Sequence, residues 1–166
     1  MKVFIGDVDG VLTTGHFVYS AQGKMFKVFG PDDNDALSLL REHIEVRFVT
    51  GDKSGFEISR KRVVDDMDLP LDFVSTTRRV EWIAEKYELC DVIYMGDGIF
   101  DHLVMARVGY AIAPSNADPN ALRAADFVTT RRGGDRAVAE ACLHVLERHF
   151  GVTMSKTAGR SRPENS

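Results

Sequence analysis

Residues 2–13 bring an apolar run, Lys2-Val3-Phe4-Ile5, to an abrupt stop at Gly6-Asp7-Val8-Asp9-Gly10-Val11-Leu12-Thr13. In extended chain, residues two apart point the same way. Asp7 and Asp9 therefore project together from the strand end, where Gly10 permits a sharp turn. Two carboxylates held together in a partly dry site repel by roughly 4 kcal/mol at an effective dielectric near 20. Such a pair calls for a cation or a shared proton.

A second acidic pair answers it. Asp97 and Asp101 lie in Gly96-Asp97-Gly98-Ile99-Phe100-Asp101, directly after the apolar run Asp91–Met95. A third apolar run, Val46–Val49, ends in Thr50-Gly51-Asp52, which offers a hydroxyl and a glycine amide. Ligands of open parallel sheets gather outside the carboxyl ends of the strands. Carboxylates, a hydroxyl and free amides at three strand ends suit a magnesium ion and a phosphoryl group.

The pattern between these motifs alternates strand and helix, which predicts an α/β Rossmann-like sandwich with a central parallel sheet. Strands are expected at Lys2–Val8, Val46–Val49, Phe73–Val74, Asp91–Met95, Tyr110–Ala113 and Phe127–Val128. Helices are expected at 33–42, 54–67 with Ser54 as N-cap, 77–87, 100–108, 119–124 and 137–150. Gly15–Tyr19 and Met25–Phe29 read as an inserted β-hairpin turning over Ser20–Lys24. Residues 1–150 are expected to form one domain, with the hairpin at about 15–29, and the polar stretch 151–166 a disordered tail.

A net charge of −4 at pH 7 gives no case for a nucleic-acid partner. No apolar run is long enough to span a membrane. Cys90 and Cys142 form no metal motif, and no leader precedes the first strand, so a cytoplasmic location is expected.

These residues resemble the haloacid dehalogenase (HAD) superfamily of aspartyl-phosphate phosphatases. The match is closest to a capless branch that includes phosphatases of 3-deoxy-D-manno-octulosonate (KDO) 8-phosphate and of sialic acid pathways. Asp7-Val8-Asp9-Gly10-Val11-Leu12-Thr13, Val49-Thr50-Gly51 and Gly96-Asp97-Gly98-Ile99-Phe100-Asp101 carry the resemblance. Val108–Ala117, Ala124–Thr129 and Gly133–Val138 favour the narrower branch. It implies Asp7 as nucleophile and Asp9 as acid and base. Magnesium would sit among Asp7, Asp9, Asp97, Asp101 and the Val8 carbonyl. Thr50 and Gly51 would bind the phosphoryl group, and Arg136 could touch substrate. The implied reaction is hydrolysis of a small sugar phosphate, such as KDO 8-phosphate or a nonulosonate 9-phosphate. The implied assembly is a homotetramer in which the hairpin of one subunit covers the site of the next.

Three stretches depart from the family pattern. The third motif normally supplies a lysine; here Arg79 falls closest to it, with Arg78 and Lys86 as alternatives. A Thr-Gly-Arg that greets a sugar acid reads Thr50-Gly51-Asp52, and an Arg-Asp-Gly reads Asp32-Asp33-Asn34. Two other readings stay open: a phosphatase for nucleotides or other small metabolites, and a catalytically weak assembly or regulatory module.

Overall fold

The first apolar run becomes β1, Val3–Asp7, buried along its whole length. The computed structural model describes residues 1–154. After β1 the chain makes a wide turn over Val8–Leu12, with Asp9 extended and Gly10 at φ 85°. It then forms the hairpin β2, Thr13–Ser20, and β3, Gly23–Phe29. The remaining strands are β4, Glu45–Thr50; β5, Leu71–Phe73; β6, Val92–Met95; β7, Tyr110–Ala113; and β8, Phe127–Val128. The helices are α1, Asp33–Leu40; α2, Phe56–Arg60; α3, Arg79–Ala84; α4, Asp101–Met105; α5, Pro119–Ala124; and α6, Ala137–Phe150.

Six strands pair in the order β5-β4-β1-β6-β7-β8, all parallel, and β2 pairs only with β3. This is the expected α/β Rossmann-like sheet with its inserted hairpin. From β1 the chain builds outward to β4 and β5, then returns to build β6, β7 and β8 on the other side. The direction reverses at β1, which places a crevice at its carboxyl end. One apolar core joins α1 and α6 to one face of the sheet through Phe4, Leu37, Phe48 and Val145. Another seats Ile83, Val104 and Ala121 against Val3, Ile5 and Tyr94 on the opposite face.

Several boundaries move, each for a local reason. The hairpin turns over Ala21-Gln22 alone, because Tyr19 pairs with Lys24 and Ser20 with Gly23. Ser54 is not an N-cap. Its hydroxyl donates to Asp52 Oδ1, which also accepts the Gly55 amide, and the regular helix begins at Phe56. The expected helix 77–87 opens instead with a 3-10 turn, Thr76–Arg78, so its α-helical part is Arg79–Ala84. The helix α6 is capped from a distance, since Asp33 Oδ1 accepts the Ala139 amide at 2.9 Å. It ends at Gly151, whose φ of 66° lets its amide return to Glu147 and Leu146. Of the expected tail, residues 155–166 lie outside the described residues. Among the described residues no helix is long and apolar enough to cross a membrane.

Candidate active site

Three adjacent strands deliver their functional groups to one rim. β1 ends in Asp7, β4 in Thr50, and β6 stops two residues before Asp97. Asp7 pairs with Val49 and Gly6 with Met95 in register, so the three strand ends are level. Gly10 makes the cluster possible: a Cβ there would collide with the Asp97 carboxylate, and its φ of 85° suits glycine.

Asp7, Asp97 and Asp101 each bring a carboxylate oxygen within 4.8 Å of the other two. Arg79 lies against them, 1% exposed, at the first turn of α3. Its guanidinium grips Asp7 in a fork, Nη1 to Oδ2 at 2.8 Å and Nη2 to Oδ1 at 3.1 Å. Nη1 also donates to Asp101 Oδ1 at 3.0 Å and to the Tyr94 hydroxyl at 2.7 Å. The Tyr94 hydroxyl donates to the same Asp101 oxygen at 2.6 Å. The other oxygen of Asp101 accepts the amides of Asp97 and Gly98 at 2.9 and 2.7 Å. Asp101 thus ties Arg79 to the loop that presents Asp97.

One guanidinium facing three carboxyls leaves a surplus of negative charge. Burial pushes Asp7 up to about 6, helped by Asp101 and Asp9 and opposed by Arg79. Burial, with Asp7 and Asp101 beside it, pushes Asp97 up to about 8. Two carboxyls raised by burial and by neighbouring negative charge, with all-oxygen donors, fit a hard divalent cation. The burial of Arg79 works against its charge, but Asp7, Tyr94 and Asp101 outweigh it and hold the guanidinium above its usual range.

Asp9 turns to the other side of the cleft. Its Oδ2 accepts from Thr50 Oγ1 at 3.2 Å and from Lys27 Nζ at 3.0 Å. The Lys27 ammonium, fully buried on β3, also donates to Ser59 Oγ at 2.8 Å and pairs with Asp52 Oδ2 at 2.8 Å. Lys24 reaches the same Asp52 oxygen at 2.5 Å. Together Asp7, Asp9, Gly51, Asp52, Arg79 and Lys24, with Phe17 and Phe73, line one cleft of ≈ 460 Å³.

No protein-family model matches the chain. It is 31% identical over 145 residues to the KDO 8-phosphate phosphatase KdsC of Salmonella typhi, covering 86% of this chain and 77% of that one. The chain belongs to the HAD superfamily of phosphatases. Among solved structures, it is similar to KDO 8-phosphate phosphatase from Moraxella catarrhalis in complex with magnesium, phosphate and KDO. That match has a TM-score of 0.75 and 27% identity, over 89% of this chain and 86% of that one. The cobalt-bound deoxy-D-mannose-octulosonate 8-phosphate phosphatase of Haemophilus influenzae matches with a TM-score of 0.76 and 26% identity, over 89% and 88%. The chain is accordingly a phosphoric monoester hydrolase of HAD type.

Within this HAD phosphatase, Asp7, Asp9, Thr50, Gly51, Arg79, Asp97 and Asp101 come together as a group. Arg78 and Lys86, the alternatives to Arg79, face elsewhere: Arg78 pairs with Glu81, and Lys86 lies over the Trp82 ring. Arg136 stands apart, paired with Asp32 and Asp135 at the start of α6. Three participants escaped the sequence reading: Lys24, Lys27 and Tyr94. Alternation along β3 puts Lys27 on the face opposite Phe26 and Val28, a signal that was present in the sequence. A larger hollow of ≈ 550 Å³, between α1, α6 and residues 152–154, holds none of the predicted site residues.

Proposed function

We propose that this chain is a magnesium-dependent phosphomonoesterase that hydrolyses a small sugar phosphate through an aspartyl-phosphate. The observation that carries the reading is the Arg79 fork on Asp7 beside Asp97 and Asp101 at three level strand ends. Oδ1 of Asp7 accepts from both Val8 N–H and Arg79, whereas, among the described residues, Oδ2 accepts from Arg79 alone. An oxygen with a free lone pair therefore remains for attack on phosphorus.

In the first step that oxygen bonds phosphorus, the P–O bond to the substrate alcohol breaks, and Asp9 gives its proton to the departing oxygen. In the second, water attacks the same phosphorus, Asp9 takes the water proton, and Asp7 is released with inorganic phosphate. Thr50 Oγ1 and the Gly51 amide, at the rim, would hold phosphoryl oxygens. The carboxylates of Asp7 and Asp97 and the Val8 carbonyl would hold magnesium, with Asp101 and Asp9 as the neighbouring carboxylates. Bound magnesium neutralises the charge of the phosphoryl oxygens.

The assembly in this reading is a homotetramer that buries the hairpin. Val18, Tyr19 and Phe26 are half exposed or more, which supports a partner surface there. Sedimentation of the purified chain reads its mass; a monomer at micromolar concentration would remove that part of the reading.

Phosphate release from a panel of sugar phosphates and nucleotides tests the chemistry, with magnesium, with chelator, and in Asp7→Asn. Magnesium-dependent release that disappears in Asp7→Asn is expected. A folded protein that releases no phosphate above the variant from any ester would instead favour the catalytically weak module, and a nucleotide as best substrate would replace the sugar.

A further inference from the structure

A cleft that takes an acidic sugar needs a cation free to meet the acid. Among the described residues of one subunit, each cation lining the cleft or buried behind it already faces a carboxylate. Arg79 is held by Asp7 and Asp101, and Lys24 and Lys27 converge on Asp52 Oδ2. Burial alone would raise the Asp52 carboxyl. Hydrogen bonds from Lys24 and Lys27 outweigh it and hold that carboxyl well below the usual carboxylate range. Lys24 is further confined by the Phe17 ring, whose centroid lies 3.6 Å from its Nζ. Asp52 is itself fixed, since its Oδ1 accepts the Gly55 amide and the Ser54 hydroxyl, both at 3.1 Å. Among the described residues of one subunit, what remains for the body of a substrate is neutral: the partly exposed side chains of Phe17 and Phe73, and the hydroxyls of Ser75 and Thr76.

We propose that Asp52 is a specificity-determining residue that closes this site to carboxylated esters, so that the preferred phosphomonoester has an uncharged, hydroxyl-bearing body lying between Phe17 and Phe73. The inference rests on the phosphomonoesterase reading and narrows its substrate class. A carboxylate entering beside Asp52 meets a like charge in a partly dry cleft, and displacing Asp52 from Lys24 and Lys27 leaves a buried anion without a partner. A neutral polyol meets neither cost.

The test is a matched pair that differs in one group: glucitol 6-phosphate, ending in CH2OH, and gluconate 6-phosphate, ending in a carboxylate. KDO 8-phosphate serves as the acidic sugar of longer reach. With the full chain and magnesium, kcat/KM is expected to be at least tenfold higher for glucitol 6-phosphate than for either acid. In Asp52→Asn, which keeps the acceptor for Gly55 N–H and drops the charge, that ratio is expected to fall at least tenfold. The change is expected in KM for the acids. Equal or higher kcat/KM for either acid in the wild type would overturn the proposal, as would an unchanged ratio in a folded Asp52→Asn. If that variant does not fold, the wild-type ratio decides alone. Hydrolysis of p-nitrophenyl phosphate, absent in Asp7→Asn, separates the two levels. If it proceeds while an acid is preferred, only the specificity falls; if it does not proceed, the phosphatase reading falls and takes the specificity with it.

Discussion

The two walls of the cleft are built differently. One is the sheet rim, where Asp7, Arg79, Tyr94 and Asp101 are almost fully buried and bonded to one another. The other is the hairpin, where Tyr19 and Phe26 are exposed, Phe17 lines the cleft, and Lys24 and Lys27 turn inward to Asp52 and Asp9. The rim is supported by the core on both faces of the sheet, whereas β2 and β3 pair only with each other. In the proposed function, the reaction chemistry would sit on the rigid wall, and the groups that would meet the rest of a substrate on the thin one.

The largest expected effect lies at the rim. Asp7→Asn is expected to lower phosphate release on the order of 10^4-fold or more, since Asp7 supplies the nucleophilic oxygen in the proposed reaction. A fall below tenfold, with the fold intact by circular dichroism, would remove Asp7 from the chemistry.

Arg79→Met comes next. It strips Asp7 and Asp101 of their common partner, and breaking a buried pair costs about 3–5 kcal/mol. Urea unfolding in chelator is expected to show that loss, with activity down by about 10^2- to 10^3-fold. Arg79→Lys is expected to restore part of the stability and less of the activity, because an ammonium cannot reproduce the fork on Asp7. Full activity in Arg79→Met would show that the rim needs no cation of its own.

On the hairpin wall the effect should be smaller and differently distributed. Lys27 holds Asp9 and touches no rim carboxylate of the Asp7 group. Lys27→Met is expected to lower kcat on alkyl phosphates by about 10- to 100-fold, through misplacement of Asp9. The loss on p-nitrophenyl phosphate should be several-fold less, because a good leaving group needs little protonation. Equal losses on both esters would mean that Lys27 supports the cleft as a whole and not Asp9.

The same contrast explains what the sequence revealed. The parallel sheet and the rim carboxylates were legible because strand-end spacing is local: Asp7-x-Asp9 and Asp97 to Asp101 each lie within a few residues of one strand. Arg79 was recognised only through resemblance, since 72 residues separate it from Asp7. Lys27 and Asp52 meet only when the hairpin folds back over the β4–α2 loop, so nothing local marks their pairing. The exchange that looked like a lost cation at Asp52 is answered by two lysines from another part of the chain. Ser54 misled for a similar reason: its hydroxyl is drawn back to the Asp52 carboxylate, and the helix starts only after Gly55.

The smallest expected effect separates stability from chemistry altogether. Asp33 lies at the start of α1, 3% exposed, where its Oδ1 accepts the Ala139 amide in the first turn of α6. Burial pushes its carboxyl up to about 6 from 3.8, although the Ala139 hydrogen bond opposes the shift. Between about pH 4 and pH 6 the folded chain therefore holds a proton that the unfolded chain has released. Stability falls as pH rises through that window, and the deficit persists above it. A shift of about two units corresponds to about 3 kcal/mol at most. Asp33→Asn keeps an oxygen acceptor for Ala139 N–H and cannot ionise. In chelator, urea midpoints of the variant should change less with pH between 4 and 6 than those of the wild type. The difference between the two curves isolates Asp33 from Asp7 and Asp97, whose raised carboxyls act in the same direction. Parallel curves would show that Asp33 is ionised throughout and that the cap on α6 is a charged one.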